Sequence, residues 1–353
     1  MKHEKNDNFR HCNNIGSVCG RRNSNSISKC VVEDERMKKL VGRIGFIILC
    51  VVVFIISASI SFAFYLNAKV TEPYKYLEVD RSSYGEVIYD LPSDGKDTTK
   101  YDLYLPKNVD KNKNYSLIFY IHGGGFTGGD KADGKYWGPY YTSKGMVVVS
   151  VNYTLSKGDG VANLNTMYDE LRNTMQVVID DCANRGYRIT EAATTGGSAG
   201  GTLAMLMAYK EPETLPVPVK FVFEQTGPAL FEPDFWGQTE DDGRAMFVSM
   251  MTGYNFTAQD IGSNKYMQTI KEISPALLVN ENTVPTILGY GPKDTVVPPS
   301  IKFKLLEALS IYNVEHTYIE FENSGHGLLN DIDKSEEFYK KTDAYIEKYF
   351  ENH

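Results

Sequence analysis

Residues 192–209, AATTGGSAGGTLAMLMAY, constrain this chain more than any other stretch. A run of strand-forming character ends at Gly197 and a helical run is under way by Gly201, so the backbone must change from strand to helix across Ser198. Gly196 and Gly200 flank the serine two residues away on each side. That is the G-x-S-x-G spacing of a turn too tight for bulk at those positions, which leaves the serine Oγ projecting above a sheet. The helix N-terminus that follows favours negative charge developing beside it. In a chain with 30 glycines a purely structural Gly/Ser turn is the competing reading, so the surroundings decide.

Those surroundings alternate. Residues 115–122 (YSLIFYIH) and 146–153 (MVVVSVNY) are short apolar runs of the kind a parallel sheet buries on both faces. Between the second run and Ser198, residues 166–184 carry Leu171, Met175, Val178 and Cys182 at helical spacing. Further strands are expected at 219–224, 286–289 and 317–321, with helices near 300–311 and 331–350. The segment 100–105 (KYDLYL) alternates in polarity and is expected in an antiparallel edge. The fold class is therefore α/β, a mostly parallel, doubly wound sheet with helices on both faces. Residues 228–282 break the rhythm. Rich in Phe, Trp and Met, they are expected as a helical cap inserted between strands.

His122-Gly123-Gly124-Gly125-Phe126 follows the first apolar run. Three glycines let a loop fold back and aim backbone N–H groups at a substrate oxyanion. No Gly-Lys-Ser/Thr follows, which excludes a phosphate-binding P-loop. HGGGF followed by GGSAG resembles the α/β-hydrolase esterases of the hormone-sensitive-lipase and acetyl-esterase group, over roughly residues 100–350. The resemblance implies an α/β-hydrolase fold in which Ser198 attacks a carboxylic ester. It implies that Gly124 and Gly125 donate two N–H groups to the oxyanion and Ala199 a third, with His122 packed beneath the loop.

The fold supplies its nucleophile, acid and base in that chain order. Downstream of Ser198, residues 291–298 (GPKDTVVP) look like the family's acid loop, which makes Asp294 the carboxylate that orients the base. Ser324-Gly325-His326-Gly327 follows the last expected strand, and the glycines on both sides allow His326 to swing over the site as the base. His316 is its rival, but it lies in the approach to that strand. Phe126, Tyr136, Trp137, Tyr140, Phe235, Trp236 and the segment 224–228 are expected near the pocket, each being equally able to serve as core. Neither a dinucleotide fingerprint nor H-E-x-x-H zinc spacing occurs, so no cofactor and no metal are expected.

The N-terminal part follows different rules. Residues 44–66 (IGFIILCVVVFIISASISFAFYL) contain no charge, and 23 residues make roughly 34 Å of helix, enough to cross a bilayer. Arg36, Lys38, Lys39 and Arg43 precede the run, which puts the N-terminus in the cytoplasm and the body outside. A cleaved signal peptide is the alternative, although the run exceeds the ~7–15 residues of an h-region. Residues 1–43 are expected as a disordered tail, 67–85 as a linker and 86–353 as the catalytic domain. The tail carries ten Lys/Arg against five Asp/Glu, leaving the remainder 27 against 40. An acidic body argues against nucleic acid as its partner. Beyond the apolar run only Cys182 remains, so the body holds no internal disulfide.

These expectations converge on a membrane-anchored serine hydrolase acting on small-molecule esters of small or medium acyl groups. A peptidase or amidase on the same fold is the nearest alternative. A non-catalytic, membrane-tethered binding module is the alternative from another class.

Overall fold

The computed structural model describes Lys69 and residues 71–352. The expected tail 1–43 and anchor 44–66 lie outside the described residues. Among those described, no helix is long and apolar enough to cross a membrane.

Eight strands make one sheet: β1 (Val87–Leu91), β2 (Tyr101–Tyr104), β3 (Asn114–Ile121), β4 (Val147–Val151), β5 (Arg188–Gly197), β6 (Val219–Gln225), β7 (Thr286–Tyr290) and β8 (His316–Glu320). Their order is β1-β2-β4-β3-β5-β6-β7-β8. β1 and β2 are antiparallel, β2 is antiparallel to β4, and every pairing from β4 to β8 is parallel. The α/β-hydrolase architecture expected from the sequence is thus present. KYDLYL lies in the antiparallel edge as expected, as its second strand. β1 covers it, a strand the sequence does not announce because VIYDL is only partly buried and its pairing shifts register between Ile88 and Leu91.

Helices cover both faces because the central strands are apolar on both. Leu117, Phe119 and Ile121 of β3 point into the layer shared with α2 (Leu164–Asn184), α3 (Ala199–Tyr209) and α7 (Ser300–Ile311). Ile118 and Tyr120 point the other way, toward α1 (Gly138–Ser143) and α8 (Ile332–Tyr349). This is the period-2 alternation of a strand, used twice over. α3 has every residue buried, so it is apolar all round rather than striped.

Residues 228–282 hold α4 (Asp241–Thr252), α5 (Asn264–Ile273) and the short α6 (Pro275–Leu278) between β6 and β7. α4 and α5 have a small core of their own, formed by Ala245, Val248, Phe256, Tyr266 and Ile270.

Residues 71–85 do not behave as a linker. A 3-10 helix at Glu72–Leu77 buries Leu77, stacks Tyr74 on Tyr136 with 4.6 Å between ring centroids, and brings the Tyr76 hydroxyl 3.2 Å from Asp343 of α8. Pro73 and the mixed polarity of the stretch suggest a spacer, but its aromatic residues find partners more than 60 positions away.

Candidate active site

The direction of the chain reverses at β3, whose neighbours β4 and β5 follow it on opposite sides. Such a switch point opens a crevice at the carboxyl ends of the strands. The His122 loop leaves β3 there and Ser198 leaves β5.

Ser198 sits at φ 54°, a left-handed conformation uncommon for a residue with a side chain. Its N–H donates to Gln225 O at 2.8 Å, and its carbonyl accepts from Thr202 N at 3.1 Å. The flanking glycines are compelled by contact with β3. A Cβ on Gly200 would lie 2.1 Å from Ile121 O, and one on Gly196 would lie 2.4 Å from the same oxygen.

His326 Nε2 stands 2.8 Å from Ser198 Oγ, and His326 Nδ1 stands 2.8 Å from Asp294 Oδ2. A carboxylate can only accept, so Nδ1 carries the proton and Nε2 is left to accept the serine hydroxyl. Asp294 Oδ1 accepts from Val296 N at 2.8 Å and Val297 N at 2.9 Å. Burial alone would raise the Asp294 carboxyl. The His326 ring and the two backbone donors outweigh it and hold the group below the usual carboxylate range. His316 lies within β8, its Nδ1 2.8 Å from Val314 O, and takes no part.

The loop after β3 packs against the nucleophile turn: a Cβ on Gly123 would lie 3.5 Å from Ser198 Cβ. Gly124, Gly125 and Phe126 follow one another at φ 116°, 61° and 64°. Gly124 O accepts from Thr127 N and Gly128 N, which closes the loop on itself. Among the described residues the N–H groups of Gly124 and Gly125 have no protein acceptor. Ala199 is the first residue of α3, where an N–H has no intrahelical partner. Among the described residues three N–H groups are thus left without an acceptor, two on the loop that packs against the nucleophile turn and one on the residue after Ser198. His122 is buried under the loop. Its Nδ1–H donates to Gly123 O at 2.7 Å, its ring stacks on Tyr153, and the Tyr153 hydroxyl donates to His122 O at 3.1 Å. Burial outweighs the bond to Gly123 and lowers its pKa.

A small cleft opens from this loop, lined by Phe126, Leu164, Met167, Met250 and Met251 together with the polar Thr127 and Asn163. Of the aromatic residues expected in the pocket, only Phe126 lines it. Trp137 is core, packed against Tyr120, Phe223 and Tyr339. Tyr140 is also core, its hydroxyl 2.6 Å from Asp343. Trp236 braces the cap by donating to Leu230 O at 2.8 Å and stacking on Phe231. The residues that replace them, Met250 and Met251 on α4 and Leu164 and Met167 on α2, carry only the general signal of apolar helix faces.

Glu224 is a further residue the motifs do not reveal. It is the penultimate residue of β6, has no exposure, stands in register with Gly196 and packs against Gly201 in the first turn of α3. Oε2 accepts from Gly227 N at 2.7 Å, while Oε1 has no partner. Burial pushes its carboxyl up to about 8.

With this geometry in place, a family model matches the chain and solved structures share its fold. Residues 101–309 match the family model BD-FAE. Dipeptidyl aminopeptidase BIII of Pseudoxanthomonas mexicana is 23% identical over 250 residues, covering 66% of this chain and 34% of that protein. Dipeptidyl-peptidase 5 of Aspergillus fumigatus is 27% identical over 255 residues, 69% of this chain and 33% of that protein. The chain thus spans about a third of the length of the curated relatives it matches. A truncated carbohydrate esterase from gut microbiota superposes with a TM-score of 0.60 at 17% identity, over 76% of this chain and 98% of that one. The thermophilic esterase Est2 of Thermogutta terrifontis gives 0.59 at 20% identity, over 74% and 91%. Other structures of Est2 hold propionate or butyrate.

Proposed function

The chain belongs to the BD-FAE family of α/β-hydrolase esterases, and from that premise we propose that it hydrolyses carboxylic esters of small or medium acyl groups through an acyl-enzyme on Ser198. The observation that carries this is the unbroken hydrogen-bonded line from Ser198 through His326 to Asp294.

His326 Nε2 takes the hydroxyl proton as Ser198 Oγ bonds to the ester carbonyl carbon. The carbonyl oxygen becomes an oxyanion and is received by the N–H groups of Gly124, Gly125 and Ala199. Asp294 stays ionised and stabilises the imidazolium. His326 then passes its proton to the leaving alkoxide, the C–O bond breaks, and the acyl group remains on Ser198. Water then attacks the acyl carbon as His326 takes its proton, the bond to Ser198 Oγ breaks as that oxygen recovers the proton from His326, and the carboxylic acid is released.

The cleft beside the glycine loop supports a short acyl chain, because its lining is mainly apolar and no charged side chain lines it among the described residues. Est2, on the same fold, holds propionate and butyrate. A peptidase reading draws on the two dipeptidyl peptidases. An enzyme that trims dipeptides must hold a terminal ammonium, which calls for a carboxylate, and among the described residues none lines this cleft. The finer likeness to the hormone-sensitive-lipase group rests on the HGGGF and GGSAG motifs alone. A non-catalytic binding module would have no use for three free N–H donors beside an aligned serine.

A series of p-nitrophenyl esters from acetate to decanoate, assayed beside aminoacyl p-nitroanilides, tests the reading. The highest kcat/KM should fall among the short esters, with the anilides slower by orders of magnitude. Preference for the anilides would transfer the assignment to the peptidase. We further propose that residues 44–66 anchor the chain in a bilayer with the body outside, on the strength of the uncharged run and the cations before it. Protease added to intact cells should then remove the body, and complete protection would refute that orientation.

A further inference from the structure

We propose that Asp331 and Ser324 are positioning residues that clamp the loop bearing His326, and so keep its ring in line between Ser198 and Asp294. The proposal rests on reading those three residues as the working triad. His326 needs such a clamp. It lies between two glycines in the connection from β8 to α8, and its side chain is 23% exposed, so neither the backbone type nor packing immobilises it.

Asp331 immediately precedes α8, the position at which an aspartate ordinarily accepts hydrogen bonds from the helix's first N–H groups. Here it makes no such bond. Its carboxylate instead turns back along the loop. Oδ2 accepts from Ser324 Oγ at 2.6 Å and from Asn323 N at 3.0 Å, and Oδ1 accepts from Asn323 Nδ2 at 2.9 Å and from Asn323 N at 3.2 Å. Every donor it has taken in place of the helix lies two or three residues before His326.

Ser324 carries the constraint in two directions. It has no exposure, and its Oγ also accepts from Asn330 N at 3.0 Å, which ties together the two ends of the segment holding His326. Asn330 Nδ2 adds a bond to Asn323 O at 3.0 Å. The Ser324 carbonyl accepts from Lys293 N at 3.2 Å, the residue before Asp294. Gly291 packs so closely beneath it that a Cβ there would lie 2.2 Å from Ser324 O. One buried serine therefore joins the base loop to the acid loop, and Asp331 joins both to the start of α8. Loss of the clamp frees the imidazole to leave the geometry in which Nε2 meets Ser198 Oγ, and a misplacement of ~1 Å at such a site costs on the order of 10²-fold in rate.

The test uses the full chain with Asp331→Ala, Asp331→Asn and Ser324→Ala. It measures kcat and KM on a short p-nitrophenyl ester, the rate of Ser198 labelling by a fluorophosphonate, and thermal unfolding. Asp331→Ala and Ser324→Ala should lower kcat by about 10- to 100-fold with KM within about twofold, and labelling should slow in parallel. Asp331→Asn keeps one acceptor for Asn323 N–H and should fall between Asp331→Ala and the parent. A folded Asp331→Ala or Ser324→Ala with parental kcat and labelling rate overturns the proposal, and so does a loss confined to KM. If Asp331→Ala fails to fold, Asp331→Asn and Ser324→Ala decide by the same criteria. A parent chain that neither labels nor turns over ester would defeat the triad reading instead.

Discussion

Ser198→Ala should lower kcat for the preferred ester by about 10⁶-fold, the loss typical when the nucleophile of an aligned triad is removed. The fold should survive. The substitution deletes one oxygen, and the interactions that set the turn are made by the backbone: Ser198 N–H to Gln225 O and Thr202 N–H to Ser198 O. Alanine inherits the strained φ of 54° without adding to it, because the Cβ is already present. Fluorophosphonate labelling should vanish with the rate, as the adduct forms on Oγ. Adding His326→Ala should cost little more, because the two groups act as a unit. Ester turnover within a hundredfold of the parent, in a folded Ser198→Ala protein, would mean that another group is the nucleophile.

Those residues were legible in the sequence for a physical reason. A strand-to-helix turn against a neighbouring carbonyl tolerates only glycine at 196 and 200, so local sterics write the motif into the chain. The same holds for Gly123 and Gly124, which press against Gly197 O and Gly128 O, while Gly125 is set by its φ of 61°. Asp294 and His326 were readable because a parallel sheet presents its functional loops at strand ends in fixed order. The pocket was not. Trp137 and Tyr140 follow a site loop and are aromatic, as pocket residues are. Their burial is decided by Tyr339 and Asp343 on a helix some 200 residues later, and no local pattern encodes that. Met250 and Met251 reach the cleft only because α4 lies over the loop of Gly125 and Phe126. Residues 72–77 carry the same lesson in reverse, since a short polar-aromatic stretch becomes structure only when α8 is there to receive it. Asp331 reads as an ordinary helix start, and its diversion toward Ser324 is visible only in three dimensions.

Glu224→Gln should stabilise the protein at alkaline pH by up to roughly 5 kcal/mol relative to its effect in acid. The sign follows from where the proton resides. In the unfolded chain the Glu224 carboxyl loses its proton near the ordinary value of 4.5, whereas burial in the fold raises it to about 8. Between those values the folded state binds one proton more than the unfolded state, so stability falls as pH rises. A displacement of that size corresponds to roughly 5 kcal/mol, fully present below the unfolded value and lost by the folded one. Glutamine reproduces the neutral acid in shape and keeps an oxygen for Gly227 N–H, but it cannot ionise. The difference in melting temperature between variant and parent should therefore be flat below pH 4.5, climb to about pH 8 and level off. A difference that stays constant across that range would show that Glu224 ionises in the fold as it does in water. The neutral form also matters for the reaction. Glu224 lies against Gly201, in the first turn of the helix whose N-terminus faces the oxyanion. A charged carboxylate there would oppose the negative charge that Ala199 N–H helps to receive. The carboxyl is tolerated beneath the nucleophile because burial keeps it protonated.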